Sequence, residues 1–93
     1  YYGVMKEGQY HGKGILLYAS NDKRQRARYD GHWDSGRRHG KGTLSWVNGA
    51  VYQGTWKEDK LHGIGVLTLP SGIRYEGEFV DNKFQGQGVL EWK

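Results

Sequence analysis

The stretch Tyr29–Trp46, "YDGHWDSGRRHGKGTLSW", decides the fold. Its apolar residues follow a period of two rather than 3.6, so it reads as strands and not as helix. Tyr29, Gly31 and Trp33 share one side of a first strand, and Asp30, His32 and Asp34 share the other. Ser35-Gly36 supplies residue types that tolerate the positive φ of a tight turn. A second strand then alternates as Gly40, Gly42, Leu44 and Trp46. The stretch is therefore a β-hairpin with one face of aromatics, glycine and leucine and one polar face. Large aromatics need room beside their cross-strand neighbours, and glycine at the facing positions supplies it.

The pattern recurs. "YYGVMKEGQYHGKGILLY" starts at Tyr1, "YQGTWKEDKLHGIGVLTL" at Tyr52 and "YEGEFVDNKFQGQGVLEW" at Tyr75, so the four starts are 28, 23 and 23 residues apart. Fixed-period self-similarity on this scale marks a stacked array. The repeats span 1–28, 29–51, 52–74 and 75–93, the last incomplete, with an insertion around 19–28. All sixteen glycines fall at repeat positions, counting Gly49 and Gly72 in the connecting turns. Glu7-Gly8, Glu58-Asp59 and Asp81-Asn82 match Ser35-Gly36 as hairpin turns, while Asn48-Gly49 and Ser71-Gly72 lead into the next hairpin. The expected fold is all-β: one elongated single-layer antiparallel sheet of successive hairpins, eight strands in meander order.

Composition bounds the rest. The chain has 93 residues, 35% hydrophobic and 14% aromatic, with a formal net charge of +4 and no Cys. Ninety-three residues make one domain at most. The absence of Cys removes disulfides, thiol catalysis and Cys-based zinc sites, and leans toward the cytosol. No apolar run approaches the ~20 residues of a membrane-spanning helix. A first residue other than Met reads as an excerpt of a longer chain.

The residues that invite a catalytic reading do not support one. His11, His39 and His62 occupy one place in successive hairpins, about 10 Å apart at two strand spacings, too far to share a metal or a proton. Gln85 replaces them in the fourth repeat, which predicts a structural hydrogen bond closing each hairpin. "GRRHGKGT" from Gly36 lacks the spacing and the following helix of a phosphate-binding loop. Asp30, Glu76 and Glu78 lie on a solvated strand face with no acid–base partner. No catalytic residue, metal-ligand set or cofactor motif emerges.

Two features point to partners. Tyr29, Trp33, Tyr52, Trp56, Tyr75 and Phe79 recur on one face, and the sequence has no helical segment left to cover them. An exposed aromatic groove is expected there, able to take an amphipathic helix or an extended peptide. The second feature is "NDKRQRARY" from Asn21 to Tyr29, with Lys23, Arg24, Arg26 and Arg28. It reads either as a solvated loop or as a contact for an acidic protein surface or an anionic phospholipid. Nucleic acid fits less well, because the patch is short and its charge modest. Open sheet edges allow stacking on further repeats or on another copy.

The pattern Y-x-G-x-W-x-x-G-x-x-H-G-x-G resembles the MORN repeat (membrane occupation and recognition nexus). Tyr29, Gly31, Trp33, Gly36, His39, Gly40 and Gly42 fit every position. The third repeat departs at Asp59, the first at Met5, and the fourth at Phe79, Asn82 and Gln85. The resemblance implies a rod-like sheet with a groove along one face, and a non-catalytic scaffold that holds a partner. It implies a cytoplasmic place in a cytoskeletal, ciliary or flagellar assembly. The alternative it implies is a membrane-phospholipid-associated targeting module of a larger protein or enzyme.

Overall fold

A computed structural model describes residues 1–91, the side chain of Gln87 excepted. The strands are β1 (Tyr2–Lys6), β2 (Gln9–Leu17), β3 (Arg26–Asp34), β4 (Arg37–Trp46), β5 (Val51–Lys57), β6 (Lys60–Thr68), β7 (Arg74–Val80) and β8 (Lys83–Glu91). They form one antiparallel sheet in the order β1 to β8, measuring 43 × 28 × 18 Å. The four expected hairpin turns are present, each with two consecutive positive-φ residues, such as Ser35 at 49° and Gly36 at 81°. That conformation matches the right-handed twist of the strands it joins. Trp92, expected to close the alternation of the fourth repeat, lies outside the described residues.

Strict alternation breaks at one shared place in every hairpin, and β3–β4 has a second shift between Arg26 and Arg28. Gly31 pairs with Gly42 and Trp33 with Arg38, so two residues of β3 span four of β4. The same slip recurs in the other three hairpins. It is a bulge centred on the Gly that follows His or Gln, and Gly40 shows why Gly is needed: its φ is +84°, a left-handed conformation costly for residues with a Cβ.

Glycines also form one row across all eight strands, from Gly3 through Gly14, Gly31, Gly42, Gly54, Gly65 and Gly77 to Gly88. The ring of each repeat's first tyrosine lies flat over this row. A Cβ at Gly42 would fall 2.7 Å from Tyr29 Cε1 and overlap Cζ and Oη more closely still. The hydroxyl passes over the row and donates to a backbone carbonyl, Tyr29 to His32 at 3.0 Å and Tyr52 to Thr55 at 3.0 Å.

Laid flat, the tyrosines meet the Trp or Phe of their own and the following repeat. Tyr29, Trp33, Tyr52, Trp56, Tyr75 and Phe79 form a continuous edge-to-face ladder with ring centroids 4.9–5.5 Å apart. Trp33 and Trp56 donate their indole N–H to the carbonyls of Gly14 and Gly42 in the preceding repeats. This corrects the expectation of an exposed stripe. Tyr29 and Tyr52 are 0% exposed, Phe79 1%, Trp56 4% and Trp33 5%; of the six, Tyr75 alone is half-buried. The rings cover one another, so one layer supplies its own core. Burial accordingly raises the Tyr29 phenol above its ordinary pKa and pushes that of Tyr52 up to about 12.

From the second repeat onward each turn is also fastened to the repeat before it. Gly36, Asp59 and Asn82 donate backbone N–H groups to the carbonyls of Tyr10, Arg38 and Leu61. Asp59 and Asn82 add side-chain acceptors for the N–H groups of Arg38 and Leu61, at 2.7 and 2.8 Å. Two departures from the glycine of the repeat pattern thus replace conformational ease with an inter-repeat bond.

Candidate partner-binding groove

With the ladder buried, the accessible part of the aromatic face is its margin. Tyr10, Leu16, Tyr18, Trp46, Leu61, Leu67 and Tyr75 pack against the core and remain half-buried. Over this margin lies a recess of about 260 Å³, lined by Arg24, Arg26, Arg38, Leu44, Trp46, Trp56, Asp59, Leu61 and Asn82. Its floor is apolar and aromatic, and its walls carry the Arg24, Arg26 and Arg38 guanidinium groups together with Asp59 and Asn82.

Arg38 stands where the other repeats have Tyr10, Leu61 and Phe84. Its guanidinium lies 4.6 Å from the centroid of the Trp56 ring, and its Nε donates to Asp59 Oδ1 at 3.1 Å. Only 9% of the residue is exposed. A planar cation stacked on an indole and held by a carboxylate is a fixed part of the wall.

The insertion supplies the other cations, and it is ordered. Asp22 accepts from the backbone N–H, Nε and Nη2 of Arg26 at 2.9, 3.1 and 2.9 Å. The Arg26 guanidinium lies 4.4 Å from the centroid of the Tyr18 ring. Val47 donates its N–H to Gln25, tying the insertion to the next connecting turn. Of the four cations expected to meet an acidic partner, Arg26 is thereby engaged internally, and Arg28 pairs with Asp30 at 3.3 Å on the opposite face. Lys23 and Arg24 are exposed and make no ion pair among the described residues. Arg24 is the one of these two that borders the recess.

Hydrogen bonds from Arg26 lower the Asp22 carboxyl from 3.8 to about 2. A depressed carboxylate contributes stability fully above its ordinary pKa and loses it as pH falls through the folded value. The Asp22–Arg26 clip should therefore hold above about pH 4 and open as pH falls toward 2. Carboxyl carbon shifts of Asp22 followed by NMR, together with the Arg26 Nε–H signal, will report this. A midpoint near 3.8 would show that the clip does not form in solution.

The histidines do not close the hairpins. His39 is exposed, His11 approaches Asp34 at 3.7 Å, and His62 Nδ1 is buried without a hydrogen-bond partner. The hairpin is closed instead by its ladder, by the glycine bulge and, in the third repeat, by a bond from the Thr55 hydroxyl to the His62 carbonyl. Among the described residues no group of three or more His, Asp or Glu is placed to hold a metal ion.

The family model for the MORN repeat matches residues 1–23, 29–51, 52–74 and 75–93. This chain is a member of the MORN repeat family. A comparison with curated proteins finds no match. MORN repeats are generally non-catalytic modules that mediate protein or membrane interactions. Residues 24–28, which carry Arg24 and Arg26 to the groove, lie between the matched segments of this MORN array. Sequence reasoning missed Arg38, Trp46 and Leu61 as groove residues. For Arg38 and Leu61 the signal was present in the column Tyr10, Arg38, Leu61, Phe84, where one cation interrupts apolar residues.

Proposed function

We propose that this MORN array is a protein-binding scaffold of a cytoplasmic cytoskeletal, ciliary or flagellar assembly, and that it holds a partner helix or extended peptide in the groove on its aromatic face. The observation that carries the reading is the recess framed by Trp46, Leu61, Arg24 and Arg38. An apolar floor with a basic wall suits an amphipathic segment with a hydrophobic anchor and acidic flanks. The assembly type is supported by what the family is used for. Of the six ladder aromatics, Trp56 shapes the floor, while the margin makes the contacts.

Trp46→Ala and Leu61→Ala should each weaken capture of the partner by at least ~2 kcal/mol, as central anchors do. Arg24→Glu should weaken it and remove part of its salt dependence. Lys60→Ala, at the exposed start of β6, serves as the control. Quantitative affinity capture with each folded variant, followed by identification of the retained proteins, checks this. Normal capture by Trp46→Ala and Leu61→Ala would move the interface away from the groove.

The free cations Lys23 and Arg24 favour a second reading, a targeting module on anionic phospholipid. Sedimentation with phosphatidylserine vesicles separates the two. Binding to vesicles that Arg24→Glu abolishes and Trp46→Ala leaves intact would select the lipid.

A further inference from the structure

Two departures from the repeat pattern converge on one recess. The insertion, outside the matched repeats, brings Arg24 and Arg26; Arg38 stands in a column that is apolar in the other three repeats. Leu44, Trp46, Trp56 and Leu61 lie beneath them as an apolar floor.

Three guanidinium groups in this lining face one carboxylate, that of Asp59, which leaves an excess of two positive charges. The adjoining Asp22 and Lys23 cancel and do not change the excess. Glu58 and Asp81, the turn neighbours of Asp59 and Asn82, are exposed and do not line the recess. Asp30 and Asp34 alternate with Tyr29 and Trp33, Glu76 and Glu78 with Tyr75 and Phe79, and Glu91 follows Leu90, so these acids lie on the opposite face. No acid of the described strands answers the excess on this face.

The excess comes with free donors. Asp22 takes Nε and Nη2 of Arg26, and Asp59 takes Nε and Nη2 of Arg38 through its carboxylate and its carbonyl. Nη1 of each guanidinium makes no bond among the described residues, nor does any side-chain nitrogen of Arg24. Burial raises the Tyr18 phenol above its ordinary pKa, and the Arg38 and Arg26 charges oppose the rise. Both guanidiniums therefore act on one hydroxyl at the groove margin.

We propose, resting on the groove reading above, that this recess takes a phosphotyrosine side chain of the partner segment. A phosphate monoester carries a charge of about −1.5 to −2 at pH 7 and three strong acceptor oxygens. That matches an excess of two charges spread over three guanidiniums. An Asp or Glu carboxylate brings one charge and two coplanar oxygens, which a single arginine fork satisfies. Phosphoserine and phosphothreonine supply the dianion without a ring for the floor. At about 260 Å³ the recess is smaller than the ~300–1,000 Å³ of pockets that enclose drug-sized ligands, so it suits one side chain. Asp59 does not compete for the phosphate site, because its Oδ1 already accepts from the backbone N–H and Nε of Arg38.

NMR titration of the 93-residue chain with phenyl phosphate, followed at the Trp46 indole N–H and the Arg24 Nε–H, tests the proposal. Both signals should shift, and phenylacetate and inorganic phosphate should each bind at least tenfold more weakly. Arg24→Glu and Trp46→Ala should each weaken phenyl phosphate at least tenfold, with Lys60→Ala unchanged and amide spectra confirming that the variants fold. Affinity should also fall as the phosphate gains a proton near its second pKa of about 6. The protein's own clip does not open there, since the Asp22 carboxyl lies at about 2. Phenylacetate binding as tightly as phenyl phosphate overturns the proposal, as do Trp46 and Arg24 signals that stay unmoved. Displacement of phenyl phosphate by phosphatidylinositol phosphate vesicles, and not by N-acetyl phosphotyrosine amide, would assign the anion to a lipid and overturns it too. Partner capture that survives tyrosine dephosphorylation overturns it while leaving the groove reading intact. Normal capture by Trp46→Ala overturns the groove reading itself.

Discussion

Replacing Trp56 by alanine will lower stability by about 3–5 kcal/mol, the range for removing a buried large aromatic. The indole is 4% exposed and touches Tyr29 and Tyr52 edge-to-face. It also supports the Arg38 guanidinium and donates to the Gly42 carbonyl across the repeat boundary. Alanine leaves a cavity between two repeats and strips Arg38 of its platform. Stabilities of ordinary domains are ~5–15 kcal/mol, so the loss is a large fraction of the whole. Trp56→Phe should be much milder, since Phe79 fills the same place in the next repeat. Urea unfolding followed by circular dichroism measures both. A Trp56→Ala midpoint within about 1 kcal/mol of wild type would mean that the ladder is not the core.

Gly42→Ala should cost about 2–4 kcal/mol, and for the opposite reason: it adds an atom. The new Cβ occupies the space of the Tyr29 ring. Overpacking of this kind costs ~1–3 kcal/mol, and displacing the ring also breaks the hydroxyl bond to His32, worth ~0.5–1.5 kcal/mol. Pairing the substitution with Tyr29→Ala separates the two effects. The double variant should lose little beyond Tyr29→Ala alone, because the clash has gone with the ring. Additive losses in that cycle would place the strain in the backbone instead of under the tyrosine.

These two results bear on what the sequence could reveal. Repeat period, strand order, turn types and the need for glycine beside aromatics were all legible, because each is written within a few residues. The burial of Tyr29, Trp33, Tyr52, Trp56 and Phe79 was not. It depends on the tyrosine ring lying down over a glycine row assembled from different hairpins, and only then reaching the next repeat. Apolar residues on one side of one layer look exposed until the rings are tilted. The bulge was hidden for a related reason: His-Gly-x-Gly reads as plain alternation, and only the positive φ of Gly40 shows where pairing slips.

The groove followed the same division. Four basic residues in a short loop were evident from composition. Their unequal fates depended on Asp22 being placed to take Arg26, which leaves Arg24 over the recess. Asp59 and Asn82 looked like imperfect copies of a glycine. Both are acceptors, and both reach back to the preceding repeat, which is a physical reason for the departure.

The meander order of the sheet has a mechanical consequence. Its first and last strands, β1 and β8, are the two edges of the sheet, so a pull applied between them runs across the strands, along the direction of the inter-strand hydrogen bonds. Such a load peels one strand at a time and never shears a whole ladder at once. The array would yield at low force, hairpin by hairpin, lengthening from its 43 Å long axis toward roughly 310–335 Å at ~3.3–3.6 Å per residue. Peeling from the β8 end would leave the hairpin at the break still fastened by its turn to the repeat before it. In an assembly under tension, the domain would behave as an extensible tether with a stepped response.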